Sequence, residues 1–238
     1  MKALADLHTH TVASGHGYST LQEMARAAAE KGIEILGVTE HGPAVPGACD
    51  SLYFKNMIVI PRVMYGVRLL LGAEINILDT SGKLDMSDDE CRMLDLRIAG
   101  IHSVCWKGGT AEENTEGVLN VMRNPLIHIV SHPGDGTAEL CFEPLVLESA
   151  NSHTLLEINS HSLHPARHKT AARDNNIAIL KLCKKHGVPV ILGSDAHISF
   201  SVGCYDYVLP LLNETGFPEE LIMNDKPELL MEWLGIRV

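Results

Sequence analysis

Phenylalanine is scarce in this sequence. The 238-residue chain has four, and aromatic residues of all kinds make up 5% of it. Long apolar runs are missing as well. No stretch approaches the ~18 residues of a membrane span, so no membrane partner is expected. The amino terminus, MKALADLHTH, lacks a long apolar segment followed by a small-residue cleavage site, so no signal peptide is expected. Positive charge is in deficit, with 19 Lys and Arg against 30 Asp and Glu and a net charge of −11. A general nucleic-acid binder is normally basic, because phosphate neutralisation supplies its affinity. A long nucleic acid is therefore not an expected partner, although a small anionic substrate held by local cations remains open. Cysteine pairs are lacking too: Cys49, Cys91, Cys105, Cys141, Cys183 and Cys204 lie far apart and form no C-x-x-C. Reduced thiols in a cytoplasm fit that pattern better than a disulfide framework.

What is abundant is histidine, with 13 residues. The rest of the composition, 45% hydrophobic and 21% charged, is that of a globular protein. No linker, low-complexity stretch or solenoid-period repeat divides the chain, so residues 1–238 read as one domain. Apolar runs predict strands at 3–7, 34–39, 67–73, 97–101, 126–131, 154–158 and 188–193. Thr20 and Glu23 form a capping-box pattern ahead of a helix stopping at Gly32. Thr110 caps a second helix, residues 168–186 form another ahead of Gly187, and 138–152 form one with irregular ends. A small hairpin over 75–86 turns at Ser81-Gly82, and the tail after Tyr205 is read as helical, with Leu229, Leu230, Met231 and Trp233 packing on the exterior. Strands alternating with helices pair in parallel, and seven of them predict a closed or nearly closed α/β barrel.

Six of these strands run directly into metal-capable side chains: Asp6, His8 and His10; Glu40 and His41; Glu74; His102; His132; Asp195 and His197. The sixth strand, LLEINS, ends instead in Asn159 and Ser160. In a parallel barrel all carboxyl ends open on one face, where active sites lie. H-x-H at 8–10 and D-x-H at 195–197 each put two donors on one side of the backbone. Imidazole and carboxylate together suit zinc, manganese or iron. Several such sets side by side predict a multinuclear site, with Glu74 as bridge. A single histidine is more often a surface or hydrogen-bonded core residue, and that reading stands for His128, His153, His161, His164, His168 and His186. Candidate phosphate-binding cations are Arg167, Lys169 and Arg173, with Arg62 and Lys107 as others. No G-x-S-x-G occurs and no cysteine has an evident base partner, so no covalent nucleophile is expected.

The ordered motifs D-L-H-T-H, T-E-H-G, G-A-E, G-I-H, S-H-P and G-S-D-A-H, running from residue 6 to 197, resemble those of the PHP (polymerase and histidinol phosphatase) family, nearest its stand-alone YcdX-like phosphatase branch. The resemblance implies a distorted (β/α)7 barrel with the metal site at the C-terminal ends of the strands, three divalent ions and phosphoesterase activity. It implies one ion on His8, His10, Glu74 and Asp195, a second on Glu74, His102 and His132, and a third on His16, His41 and His197. Glu40 departs from the family's more common Asp, and its longer side chain is expected to alter support at His41. The reaction read from this is phosphomonoester hydrolysis by a metal-bound hydroxide, with Glu74 and Asp195 holding its ions and a small phosphorylated compound as substrate. The alternatives are a nuclease or an amidohydrolase-type C–N hydrolase, and a non-catalytic metal-binding module. Amidohydrolases commonly use a metal-bridging lysine, and no strand-end motif here contains one. Structural zinc sites favour cysteine and four closed ligands.

Overall fold

The computed structural model describes residues 2–236. Its strands are β1 (Ala5–Asp6), β2 (Ile35–His41), β3 (Val63–Met64), β4 (Val67–Asn76), β5 (Leu96–Gly100), β6 (Ile129–Val130), β7 (Leu155–Asn159) and β8 (Val190–Gly193). The helices are α1 (Leu21–Glu30), α2 (Ser51–Asn56), α3 (Asp88–Arg92), α4 (Ala111–Met122), α5 (Phe142–Ser152), α6 (Ala172–His186), α7 (Leu209–Thr215) and α8 (Pro227–Trp233). The seven expected strands form one parallel sheet in the order β1-β2-β4-β5-β6-β7-β8, nearly closed into a barrel. The short antiparallel β3, beside the start of β4, was not expected. Thr20–Glu23 and Thr110–Glu113 make the anticipated capping boxes. Gly187 ends α6 at φ 66°, a left-handed conformation that costs glycine little. The hairpin also forms, through an Ile77–Leu84 bridge.

Side-chain alternation sorts each strand into two faces. The inward face begins with an apolar layer near the strand starts: Ala5, Ile35, Leu70, Leu96, Ile129, Leu155 and Ile191 form one buried cluster. Along β4 the same face continues through Gly72 to Glu74, and along β7 through Glu157 to Asn159. Glycine makes room for this polar layer. A Cβ on Gly193 would sit 1.6 Å from Glu157 Oε1, and one on Gly100 would sit 2.1 Å from Ser131 Oγ.

The tail corrects one expectation. Val208, Leu211 and Leu212 do pack outside the barrel, but Met223, Leu230, Met231 and Leu234 join the inner cluster. Because that cluster lies at the strand starts, α8 closes the end of the barrel opposite the ligand-rich face. The same segment seals the gap between β1 and β8. The Asn224 backbone oxygen accepts from Leu4 N and Ala5 N at 2.7 and 2.9 Å. Its side chain accepts from Leu192 N at 2.8 Å and donates to Ala5 O and Leu192 O at 2.9 and 2.8 Å. Asp6 spans the same seam, accepting from Ser194 and Gly203.

Replacing Asn224 by Leu leaves the Leu192 N and O of β8 unpaired, while Ala5 O on β1 keeps only the Tyr205 hydroxyl. At about 1–3 kcal/mol per buried orphan, urea titration is expected to register a loss of about 3 kcal/mol. A second prediction concerns His128, which lies just ahead of β6 rather than inside it and takes a 2.6 Å hydrogen bond at Nε2 from Arg97. Burial, and then the Arg97 charge, push its pKa from 6.5 down to about 3. Between those values the unfolded chain binds the extra proton, so the stability contributed by neutral His128 is complete above pH 6.5 and is lost as pH falls towards 3. The wild-type urea midpoint should therefore drop more steeply below pH 6.5 than that of His128→Gln.

Candidate metal centre

The strand ends converge as the topology requires. Glu74, fully buried in β4, lies at the centre. Its Oε2 is 3.3 Å from His8 Nε2, 3.4 Å from His10 Nε2 and 3.0 Å from His41 Nδ1. Its Oε1 is 2.7 Å from His132 Nε2 and 3.4 Å from His102 Nε2. One carboxylate thus faces two histidine sets with its two oxygens. Asp195 Oδ1 lies 3.3 Å from both His10 Nε2 and His197 Nδ1, and His197 Nε2 is 3.0 Å from His16 Nε2. Two of these residues, His132 at φ 34° and Asp195 at φ 51°, hold left-handed backbone conformations. Such strain persists where surrounding structure enforces it, commonly at functional sites.

Tautomers follow from the supporting bonds. His8 Nδ1 lies 2.7 Å from Glu157 Oε1, an acceptor, so in the neutral ring the proton sits on Nδ1 and the Nε2 lone pair is free. The Ser14 hydroxyl donates to Glu40 Oε2 at 2.5 Å, so it accepts from His10 Nδ1 at 3.0 Å and frees Nε2 there as well. The two Nε2 atoms are 3.1 Å apart. Two lone pairs at that distance, with a carboxylate oxygen beside both, repel unless a cation or a proton lies among them. His41 Nδ1, Glu74 Oε2, His102 Nδ1 and Asp195 Oδ1 are moreover buried without a hydrogen-bond partner. This donor set fits divalent transition-metal ions, and His8–His10–Glu74, His41–Glu74–His102 and His10–His41–His197 each bring three ligand atoms together.

Without a cation, the carboxylates draw protons to the same place. Burial lowers the His8 pKa, but Glu157, Glu74 and Asp195 outweigh it and raise it well above 6.5. His10 is likewise carried to about 9 against burial by Asp195 and Glu74. Burial would raise Glu74, yet His8, His102 and His132 hold it well below its usual range. His41 and His197 fall to about 3, through burial first and then the charge on His10. Metal and protons therefore compete for one buried negative centre.

Glu157, inside the run LLEIN, was missed in the sequence. Besides His8 it accepts from His132 N at 2.7 Å and Asn159 Nδ2 at 3.1 Å, tying β1, β6 and β7 together. The available signal was a carboxylate in an otherwise apolar strand, which burial tolerates only with partners. Glu40 supports His10 through Ser14, while its expected influence on His41 reaches only the backbone, where His41 N donates to Ser14 Oγ at 3.0 Å.

Above the centre opens a cavity of about 360 Å³. His161 reaches it, stacked on His197 at 5.3 Å. Arg167 and Lys169 line it too, and Lys169 is bound by Asp135 and Thr137. The other proposed cations do not reach it. Arg173 pairs with Glu214, Arg62 pairs with Asp95 at 2.7 Å, and Lys107 flanks the hairpin beside Asp79. His153 packs on Trp233, His164 on Tyr207 and His186 on Glu143, as ordinary surface contacts.

A near-closed parallel barrel with clustered histidines and carboxylates at its strand ends belongs to the metallohydrolase kind of architecture. The PHP domain model matches residues 6–224, and the chain belongs to that family. Among its relatives, a protein of Clostridium novyi named "Probable phosphatase" is 44% identical over 98% of this chain and 95% of its own. One of the same description from Acetivibrio thermocellus is 44% identical over 98% and 96%. In fold, the chain is similar to histidinol phosphate phosphatase from Lactococcus lactis, solved with zinc, L-histidinol and phosphate. The TM-score is 0.63 at 18% identity, covering 91% of this chain and 95% of that one. A Listeria monocytogenes protein described as a "putative histidinol phosphatase" gives a TM-score of 0.60 at 17% identity, covering 84% and 97%.

Ser14→Ala removes the acceptor that holds the His10 proton on Nδ1. Loss of such a supporting partner typically costs 10–100-fold in metal affinity. Competition with a chromophoric zinc chelator should show roughly a tenfold weakening, with an unchanged far-UV circular dichroism spectrum.

Proposed function

We propose that this chain is a metal-dependent phosphomonoesterase acting on small phosphorylated compounds, with three divalent transition-metal ions, zinc foremost and manganese or iron as alternatives. The observation that carries this reading is the pair of opposed lone pairs on His8 and His10, beside a carboxylate that straddles two histidine sets, at the floor of a cavity sized for a small molecule. His8, His10, Glu74 and Asp195 would hold one ion, Glu74, His102 and His132 a second, and His16, His41 and His197 a third. His41 also stands against Glu74, at the join of these sets. Bound there, such ions acidify water and neutralise phosphate oxygens. The zinc and phosphate of the Lactococcus lactis neighbour and the phosphatase names of the relatives support the assignment.

The protein's own groups prepare the site. Glu157 and the Glu40–Ser14 pair fix the imidazole tautomers. Glu74 and Asp195 supply the negative charge that links the ligand sets. Lys169, anchored by Asp135, and Arg167 offer positive charge to an entering phosphorylated substrate. For C–N hydrolysis of the amidohydrolase type, a lysine would be wanted among the ligands. Lys169 instead binds Asp135 and Thr137.

Glu74→Gln keeps size and shape but removes one charge and turns one metal acceptor into an NH₂ donor. With p-nitrophenyl phosphate, kcat is expected to fall by at least roughly 100-fold, about 2.7 kcal/mol, and elemental analysis should find fewer than the three ions per chain expected of the wild type. His128→Gln should keep near-normal metal content in its folded fraction. Full metal content and wild-type kcat in Glu74→Gln would remove Glu74 from the proposed mechanism, and catalysis insensitive to chelators would refute metal dependence.

A further inference from the structure

The charged groups of the cavity are unevenly committed. Of its carboxylates, Glu74 and Asp195 face the imidazoles of the candidate metal centre. The third, Asp135, is taken by Lys169 and by Thr137, whose N and Oγ1 each donate to it at 2.7 Å. Among the described residues lining the cavity, no carboxylate is left to receive a substrate ammonium group. Arg167 is the reverse case. It lies in the turn Pro165–Arg167, is exposed, and its guanidinium has no hydrogen-bond or ion-pair partner among the described residues.

Depth separates the two regions. Glu74, which lines the floor, is fully buried, while Arg167 stands at the solvent-facing rim. A phosphoryl group seated at the floor must direct the remainder of the ester outward, because only the rim opens to solvent. The uncommitted cation therefore meets the leaving group, and the phosphoryl group is left to the floor.

We infer, on the phosphomonoesterase reading above, that the preferred substrate carries a second negative charge on its leaving group, that Arg167 receives it, and that esters bearing an ammonium group are disfavoured. Arg167 is then a specificity residue. Its planar guanidinium offers a carboxylate or second phosphate a bidentate partner.

The test compares three esters of similar size on the metal-replete enzyme: 2-phosphoglycolate, ethyl phosphate and 2-aminoethyl phosphate, with p-nitrophenyl phosphate as reference. The carboxylate ester is expected to exceed the ammonium ester in kcat/KM by about tenfold, a preference that shrinks with added salt as an exposed charge contact should. Arg167→Ala should collapse the preference and Arg167→Glu should invert it. Preference for the ammonium ester would overturn the inference. So would an Arg167→Ala effect of equal size on all three esters, which would place the guanidinium on the transferred phosphoryl group. Hydrolysis of p-nitrophenyl phosphate in either case leaves the phosphomonoesterase reading standing. Inertness toward all four esters overturns that reading, and the inference with it.

Discussion

Two imidazole lone pairs held 3.1 Å apart beside a buried carboxylate are the constraint around which the rest of this protein is organised. Left alone, the arrangement is repulsive. It stands because the rings are pinned from behind, His8 by Glu157 and His10 by Ser14 and Glu40, and because the strands beneath do not yield. The free energy that a cation gains on entering is therefore set up in advance by folding, as preorganisation requires. Protons compete for the same position, and the direction of the His8 and His10 shifts expresses that competition.

The barrel supplies rigidity in layers. Its lower interior is aliphatic and capped by α8. Above that, inward glycines give up side-chain volume so that Glu74 and Glu157 can lie within the sheet instead of beyond it. Fully burying two carboxylates is costly unless each finds several partners. Glu157 has His8, His132 N and Asn159, and Glu74 has Ser131 and the surrounding histidines. Closure of the sheet matters for the same reason. His8 and His10 follow β1 while Asp195 follows β8, so Asn224 and Asp6, which join those two edges, also fix the spacing of the candidate ligands.

Much of this was legible in the linear chain. The seven parallel strands followed from apolar runs alternating with capped helices, because burial and periodicity are local signals. Eight of the nine proposed metal ligands stand in motifs at the strand ends and His16 came with the family resemblance; the structure brings all nine together. H-x-H was informative because residues two apart on an extended chain share a side. The placement of Arg167 and Lys169 beyond the sixth predicted strand was enough to bring them to the cavity, whereas Arg173, already in α6, was drawn to Glu214.

The sequence by itself determined the alternation of seven strands with helices and the chemistry at the strand ends, since both rest on local spacing and residue type. Only the tertiary structure decided what stands behind the ligands. Glu157 lies 149 positions from the histidine it orients, and nothing local to LLEIN says which ring it meets. Nor could spacing assign α8 to the barrel's closed end, because an amphipathic helix shows that one face is buried but not against what. The same holds for Arg167, whose freedom from any carboxylate among the described residues is a property of where the chain's acidic residues fold rather than of how they are ordered.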